Sequence, residues 1–371
     1  MGESMKILFV ISCLSYGGAE KNLMLVANHF NEIGHSVAIC NFNERETMQQ
    51  VNENIKYYEN TEVYEKKGKF AWVGLRKMQY DFLKSTCKDF KPDVIISFLG
   101  IPNFLSVICG KSLKTPVIIS ERADPYRSTS KLDKIMHFMF NKADGAVFQS
   151  YGAQEFYSEK LQKKSKVIPN PVLNVNTDYM YDAKNADKTI AFAGRFETAQ
   201  KRQDIMIKSM KKVLDKYPDY KLIFYGDGQN EEDIKNLAKE TGIDKNVVFA
   251  GVSDNLTRDI SKSEIYVLTS DYEGIPNTLI EAMTIGMPCV STDCSPGGAR
   301  MLIDSGVNGT LVPCGDVDAI AKAIIYYIEN KDIAAEHGKK AISLKDKYCY
   351  DVIMKKWEEY VLKFKKNWFN A

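Results

Sequence analysis

Two carboxylates eight positions apart, Glu273 and Glu281, stand in the stretch Asp271-Tyr-Glu-Gly-Ile-Pro-Asn-Thr-Leu-Ile-Glu-Ala-Met283. Groups of this kind can accept the hydroxyl protons of a sugar, or serve as a general acid and base. As solvated acids on a capped surface helix they would do neither. The stretch follows a strand-like run, Glu264–Ser270, breaks at Gly274 and Pro276, and continues as a short helix that stops at Gly286. With a rise of about 1.5 Å per residue, both carboxylates can edge one cleft above a sheet. The first helical turn leaves backbone N–H groups free, and the helix dipole draws an anion to them. A sugar joined to a phosphate suits that combination.

Cationic partners precede this stretch in the same half of the chain. Arg195 ends a predicted strand, Thr189–Arg195, and Lys201 is expected to open the next helix, about Lys201–Tyr217. A guanidinium fork and an ammonium point charge at such a turn are what a diphosphate calls for. In the first half, Gly17-Gly18 separates a strand-like run, Lys6–Ser12, from a helical pattern, Ala19–Asn31, and Val37–Phe42 follows as a strand. Strand, small-residue turn, helix, strand is a βαβ unit, whose turn lies at the carboxyl edge where ligands bind. No G-x-G-x-x-G occurs there, so the dinucleotide fingerprint is absent, although a glycine pair still permits close approach by a ligand. His35 reads as a structural turn residue. Glu121-Arg122-Ala123-Asp124 follows the run ending at Ser120, and charges crowded at a strand's carboxyl end line a cleft.

The elements that must position these residues alternate throughout. Apolar runs at 93–98, 116–120, 145–148 and 166–168 continue the first unit; 221–225, 246–250, 264–269, 287–291 and 309–312 continue a second. Continuous apolar runs, rather than alternating ones, mark parallel strands covered on both faces. Residues 43–65 read as a polar, irregular excursion. Residues 66–90 read as a basic amphipathic segment, with Phe70, Trp72 and Val73 beside Lys66, Lys67 and Lys69, a composition suited to an anionic membrane surface or to packing on the sheet. The expected division is an N-terminal domain at 1–170, a linker at 171–188, a C-terminal domain at 189–349 and a final helix at 350–371.

With 371 residues and 44% hydrophobic content, each of two domains can bury its own core. The formal net charge of +2 offers no argument for nucleic acid. Residues 1–170 hold 23 Lys/Arg against 18 Asp/Glu, and the remainder 27 against 30, so the first half is the side suited to an anionic partner. Eight cysteines form no close pair and lie mostly in apolar runs, as reduced thiols of a cytoplasmic protein do. Four dispersed histidines provide no metal constellation. Ile7–Leu14 reads as a buried strand, not a signal peptide, and no apolar run reaches the roughly 18 residues of a spanning helix.

In combination, Gly17-Gly-Ala-Glu20, Gly194-Arg195 with Lys201, Glu273 with Glu281, and Ser295-Pro-Gly-Gly298 resemble the retaining glycosyltransferases of family 4, over nearly the whole chain. Ile95-Ile-Ser-Phe-Leu99, Pro116–Glu121 and Glu273-Gly-Ile-Pro276 are similar to bacterial members that extend lipid-linked oligosaccharides, lipopolysaccharide or capsule. The resemblance implies the GT-B fold, an α/β architecture of two Rossmann-like domains facing each other across a cleft, with a C-terminal helix crossing back to the first. It implies retaining transfer of a hexose or N-acetylhexosamine from a UDP-sugar to a lipid-linked or glycan acceptor, without metal or cofactor. Placement at the inner face of the cell membrane follows from such an acceptor.

The implied roles fall on single positions. Arg195 and Lys201 hold the donor diphosphate, Glu281 the ribose, and Glu273 the transferred sugar. Amides near Gly274, Ile275, Pro276 and Asn277 approach the sugar's other oxygens. Gly251-Val252 offers backbone to the uracil, and Gly17-Gly18 closes over the phosphates. Two departures bear on the acceptor. Many relatives carry His where this chain has Arg122, and a Glu after the glycines where it has Gly298-Ala-Arg-Met301. Arg122 stays protonated and is no general base; with Glu121 and Asp124 it is assigned to an acceptor phosphate or carboxylate, or to steadying the leaving group. A UDP-sugar 2-epimerase of the same fold and a non-catalytic sugar-nucleotide-binding protein would share the donor residues.

Overall fold

The computed structural model describes residues 4–14, 17–43, 51–61, 71–127, 130–172 and 179–365. The chain divides into two compact units, Met1–Pro171 with Asp351–Ala371, and Val172–Tyr350.

The first unit is a parallel sheet of β1 (Lys6–Ile11), β2 (Ser36–Asn41), β3 (Lys56–Glu59), β4 (Val94–Phe98), β5 (Val117–Glu121), β6 (Gly145–Phe148) and β7 (Ser165–Val167), in the order β3-β2-β1-β4-β5-β6-β7. Ile7–Ile11 and Val94–Phe98 are fully covered, because crossover helices lie on both faces. The second unit repeats the plan with β8 (Asp187–Ala193), β9 (Lys221–Tyr225), β10 (Val247–Gly251), β11 (Ser263–Leu268), β12 (Cys289–Thr292) and β13 (Thr310–Val312), ordered β10-β9-β8-β11-β12-β13. Each sheet reverses its strand order once, between β1 and β4 and between β8 and β11. Beyond the carboxyl ends of strands at such a reversal, open α/β sheets bind their ligands.

Two expectations are corrected, for residues 43–65 and for the C-terminal helix, and of the two readings of residues 66–90 the described part takes packing on the sheet. The excursion at 43–65 contains β3, which pairs with Ala38–Asn41 at the sheet edge. Its Lys-Tyr-Tyr-Glu sequence carries no apolar run because an edge strand keeps polar groups toward water. Next, the helix Ala71–Phe90 turns Leu83, Cys87 and Phe90 into the core, which leaves Trp72 and Val73 as its exposed apolar residues. Lys66, Lys67, Lys69 and Phe70 lie outside the described residues. Finally, the C-terminal helix spans Tyr350–Val361, shorter than the expected run, and Trp368 also lies outside the described residues.

That helix completes the first unit. Trp357 is fully buried and stacks on Phe98, with centroids 6.2 Å apart. The Tyr360 hydroxyl accepts from the Ala146 amide at 2.9 Å, and His29 Nε2 lies 2.6 Å from Glu358 Oε1. A Cβ on Gly145 would meet the Tyr360 oxygen at 2.5 Å, so β6 admits the helix only where a side chain is missing. Large-to-small replacement at a site this enclosed costs about 3–5 kcal/mol. Trp357→Ala should lower unfolding stability by that amount in urea titration; a loss under about 1 kcal/mol would contradict the packing described.

Candidate functional site

The second unit gathers its charged residues at the reversal between β8 and β11. Past Ala193, the Gly194 amide donates to Tyr225 O at 2.9 Å, and the Phe196 amide to Asp227 O at 2.6 Å. A Cβ on Gly226 would lie 2.3 Å from Gly194 O, so the ends of β8 and β9 meet only through glycine. Arg195 is fixed by its carbonyl, which accepts from Gln203 Nε2 at 2.8 Å, while its side chain stands 74% exposed and 3.9 Å from Glu197. Gly251 closes β10 with φ +73°, and Val252 beyond it is exposed.

Lys201 does not open the long helix. It ends a single turn, Thr198–Lys201, Arg202 adopts the left-handed conformation at φ 53°, and the helix proper begins at Gln203. The Lys201 ammonium thereby reaches Glu273, with Nζ 2.5 Å from Oε1, and these side chains are only 16% and 10% exposed. Glu273 Oε1 also accepts from Ser270 Oγ at 2.8 Å.

Residues not singled out from the sequence hold this pair in place. Arg202 forks onto Asp204 at 3.0 and 3.2 Å and donates from Nη1 to Asp271 at 2.8 Å. Thr269 Oγ1 donates at 2.9 Å to the carbonyls of both Lys201 and Arg202. The Asp271 amide donates to Gln200 O at 2.9 Å, and Gln200 Nε2 to Tyr272 O at 3.0 Å. Asp204 first, then Asp271, hold the guanidinium above its ordinary pKa, despite partial burial. The charges of Arg202 are thus spent within the protein, whereas Arg195 remains presented to solvent.

Pro276 caps the helix Asn277–Thr284 without a side-chain hydrogen bond. Thr278 Oγ1 donates to Ala193 O at 3.2 Å and accepts from the Tyr266 hydroxyl at 2.7 Å, tying the first helical turn to the end of β8. Glu281 lies half-buried inside this helix. The turn Glu273-Gly274-Ile275 is locked from behind: the Glu273 amide donates to Ser295 O at 2.7 Å, and a Cβ on Gly298 would fall 2.0 Å from Gly274 O. Of the glycines after Ser295, Gly298 is therefore a backbone contact with the Glu273 turn.

In the first unit, a Cβ on Gly17 would lie 2.0 Å from Glu20 Oε2, so the buried Glu20 carboxylate occupies that face, while nothing lies within 4 Å of a Cβ on Gly18. His35 accepts the Met5 amide at 3.2 Å, as a turn residue should. Glu121 Oε1 accepts the amides of Arg122 and Ala123 at 3.0 and 3.1 Å; burial raises its pKa, and those amides oppose the rise. Arg122 sits over Phe98 and Trp357, 5.3 and 5.6 Å from their ring centroids, and donates to Ser120 Oγ at 2.8 Å and Asn170 Oδ1 at 3.2 Å. Burial lowers its pKa to about 9, so it remains cationic at neutral pH. Arg122 Nη2 and Asp124 Oδ2 are buried without a hydrogen-bond partner among the described residues.

The fold and this edge define a class. The chain is a glycosyltransferase of GT-B fold, and it carries a domain matching the family model of glycosyl transferases group 1 over residues 181–344. The curated relatives include a GalNAc-alpha-(1->4)-GalNAc-alpha-(1->3)-diNAcBac-PP-undecaprenol alpha-1,4-N-acetyl-D-galactosaminyltransferase of Campylobacter jejuni, 27% identical over 335 residues, covering 90% of this chain and 91% of the relative. The lipopolysaccharide 1,6-galactosyltransferase of Escherichia coli is 31% identical over 187 residues, 49% of this chain and 51% of that enzyme. Among solved structures, the lipopolysaccharide outer core galactosyltransferase WaaB in its apo form superposes with a TM-score of 0.79 at 20% identity, covering 97% of this chain and 99% of that one. Anabaena HepE in complex with UDP superposes with a TM-score of 0.80 at 20% identity, covering 97% and 100%.

Two substitutions test the geometry. Gly298→Ala should displace the Glu273 turn and destabilise the protein by about 1–3 kcal/mol, seen as a lower thermal midpoint. Arg202→Gly keeps the left-handed backbone but removes the link between Asp204 and Asp271. It should leave secondary structure intact and loosen Lys201, read as faster hydrogen exchange across 198–203 than in the wild type; unchanged exchange there would show that the clamp holds nothing.

Proposed function

We propose that the chain transfers a hexose or N-acetylhexosamine from a UDP-sugar to a lipid-linked oligosaccharide or polysaccharide acceptor, with retention of anomeric configuration and without a metal. The observation that carries the reading is the Lys201–Glu273 pair, enclosed beside an uncapped helix N-terminus with the exposed Arg195 on the same edge. A diphosphate brought there meets two cations and a turn of free amides, which stabilise the negative charge that grows as the sugar–phosphate bond breaks. Both hydrogen bonds to Glu273 fall on Oε1, so we assign Oε2 to hydroxyls of the transferred sugar. Glu281 receives the ribose hydroxyls, Gly251 and Val252 the uracil, and the amides of Gly274, Ile275 and Asn277 the remaining sugar oxygens, with Pro276, which has no N–H, shaping the turn between them. Gly17 and Gly18 are assigned to the donor phosphates.

The nucleophile then belongs to the acceptor, because both glutamates are occupied in binding. Glu121, Arg122 and Asp124 are assigned to that acceptor. Support comes from their position at the end of β5 and from the unpaired Arg122 Nη2 and Asp124 Oδ2, since buried polar atoms of this kind gain from a partner. The C. jejuni relative acts on an undecaprenol-linked saccharide by its name, and HepE was solved with UDP and with UDP-glucose. The first supports a lipid-linked acceptor and the second a UDP-sugar donor.

Loss of a charge-assisted contact costs about 1.5–3 kcal/mol, or roughly 10- to 100-fold. Arg195→Ala and Glu273→Ala should each lower transfer by at least that factor, followed as UDP released in the presence of undecaprenol-linked saccharides. Rates near wild type in both variants would overturn the assignment. UDP release that needs no acceptor would favour an epimerase, and binding without turnover a sugar-nucleotide sensor.

A further inference from the structure

The first unit carries an apolar face that its core does not use, outside the segment whose composition suggested a membrane contact. The helix Lys131–Phe140 buries Met136 and Phe140 in the first unit's core, beside the helix Gly100–Leu113. On its outer side Leu132, Ile135 and Phe138 are 38%, 56% and 66% exposed, and the spacing of three places them within one arc of the helix surface. Tyr126, which shortly precedes the helix, adds an aromatic ring at 50% exposure. The exposed cations Arg127, Lys131, Lys134 and Lys142 flank these side chains, and the Lys142 ammonium lies 5.8 Å from the Phe138 ring centroid. The helix's one acid, Asp133, is bound into a capping box with Ser130, at 3.0 and 3.1 Å. Residues 126–166 as a whole carry eight Lys/Arg against four Asp/Glu.

An apolar ridge rimmed by cations on a short helix is suited to lie in the headgroup boundary of a bilayer, apolar side chains inserted and lysines among anionic lipids. Among the described residues no helix is long and apolar enough to cross a membrane, so contact through this helix would be peripheral. Among the same unit's other exposed apolar residues, the adjacent Trp72 and Val73 begin a helix whose apolar side is otherwise in the core. We propose that the helix Lys131–Phe140, with Tyr126 and its flanking lysines, docks the protein onto an anionic membrane surface. Through Arg127 and Ser130 the helix follows directly on the Glu121–Asp124 segment, so docking would hold that segment near a lipid-linked acceptor. This last consequence, and not the docking itself, rests on the proposed acceptor.

The test is co-flotation of the full-length protein with vesicles of phosphatidylcholine containing phosphatidylglycerol. Binding is expected at low salt and should weaken as salt is raised, because the cationic part is screened. Ile135→Ser with Phe138→Ser should reduce it about tenfold or more. Each of Lys131→Gln and Lys134→Gln should reduce it about fivefold. Trp72→Ser with Val73→Ser should leave it within about twofold of wild type. Absence of binding to anionic vesicles, or loss confined to the Trp72 and Val73 variant, would overturn the placement. So would self-association in solution that disappears in the Ile135→Ser, Phe138→Ser protein, since the face would then belong to a second copy. Unchanged circular dichroism and an unchanged thermal shift with UDP in each variant separate failure of this proposal from misfolding and from failure of the donor reading.

Discussion

The second unit turns on one ion pair, Lys201 with Glu273, closed between a turn after β8 and a turn after β11. Charges this enclosed cost desolvation that their mutual attraction offsets only in good geometry, so such a pair is weak evidence for stability. What it demands is precision of the two turns. Arg202, left-handed and clamped by Asp204 and Asp271, fixes one of them, and Thr269 holds it from the strand side. Gly298 against Gly274, with the Ser295 carbonyl on the Glu273 amide, fixes the other. The motifs that stand far apart in sequence are thus parts of one small construction. Each serves to put an ammonium and a carboxylate beside an uncapped helix start, with Arg195 left exposed.

The first unit uses the same sheet plan for a different arrangement. Its charged segment after β5 is largely consumed internally, Glu121 by its own turn's amides and Arg122 by Phe98, Trp357 and polar groups at the ends of β5 and β7. Arg122 therefore joins the sheet to the C-terminal helix as well as standing at the edge assigned to the acceptor. A guanidinium suits both tasks, since its flat face packs on aromatic rings while its fork of donors stays directed.

Strands were the most legible part of the sequence, because parallel strands buried on both faces must be continuous apolar runs, as at Ile7–Ile11 and Val94–Phe98. The break at Gly274 and Pro276 and the stop at Gly286 marked the short helix for the same local reasons. β3 escaped notice because an edge strand of Lys, Tyr, Tyr and Glu obeys no such rule. The long helix begins at Gln203, two residues past Lys201, for a reason the sequence hides: nothing in an arginine announces a left-handed conformation, and the residues that make it hold, Asp204 and Asp271, are paired only by the fold. The aromatic neighbours of Arg122 were equally hidden, since Trp357 joins them from the far end of the chain. The apolar face of Lys131–Phe140 required knowing which side of the helix meets the core.

The most direct measurement is calorimetric titration of the wild type and of Lys201→Ala with UDP, GDP and ADP. If the edge between β8 and β11 is the donor seat, the wild type binds UDP in preference to the purine nucleotides, and the variant binds it roughly 10- to 100-fold more weakly. Equal UDP affinity in the two proteins would contradict the central claim.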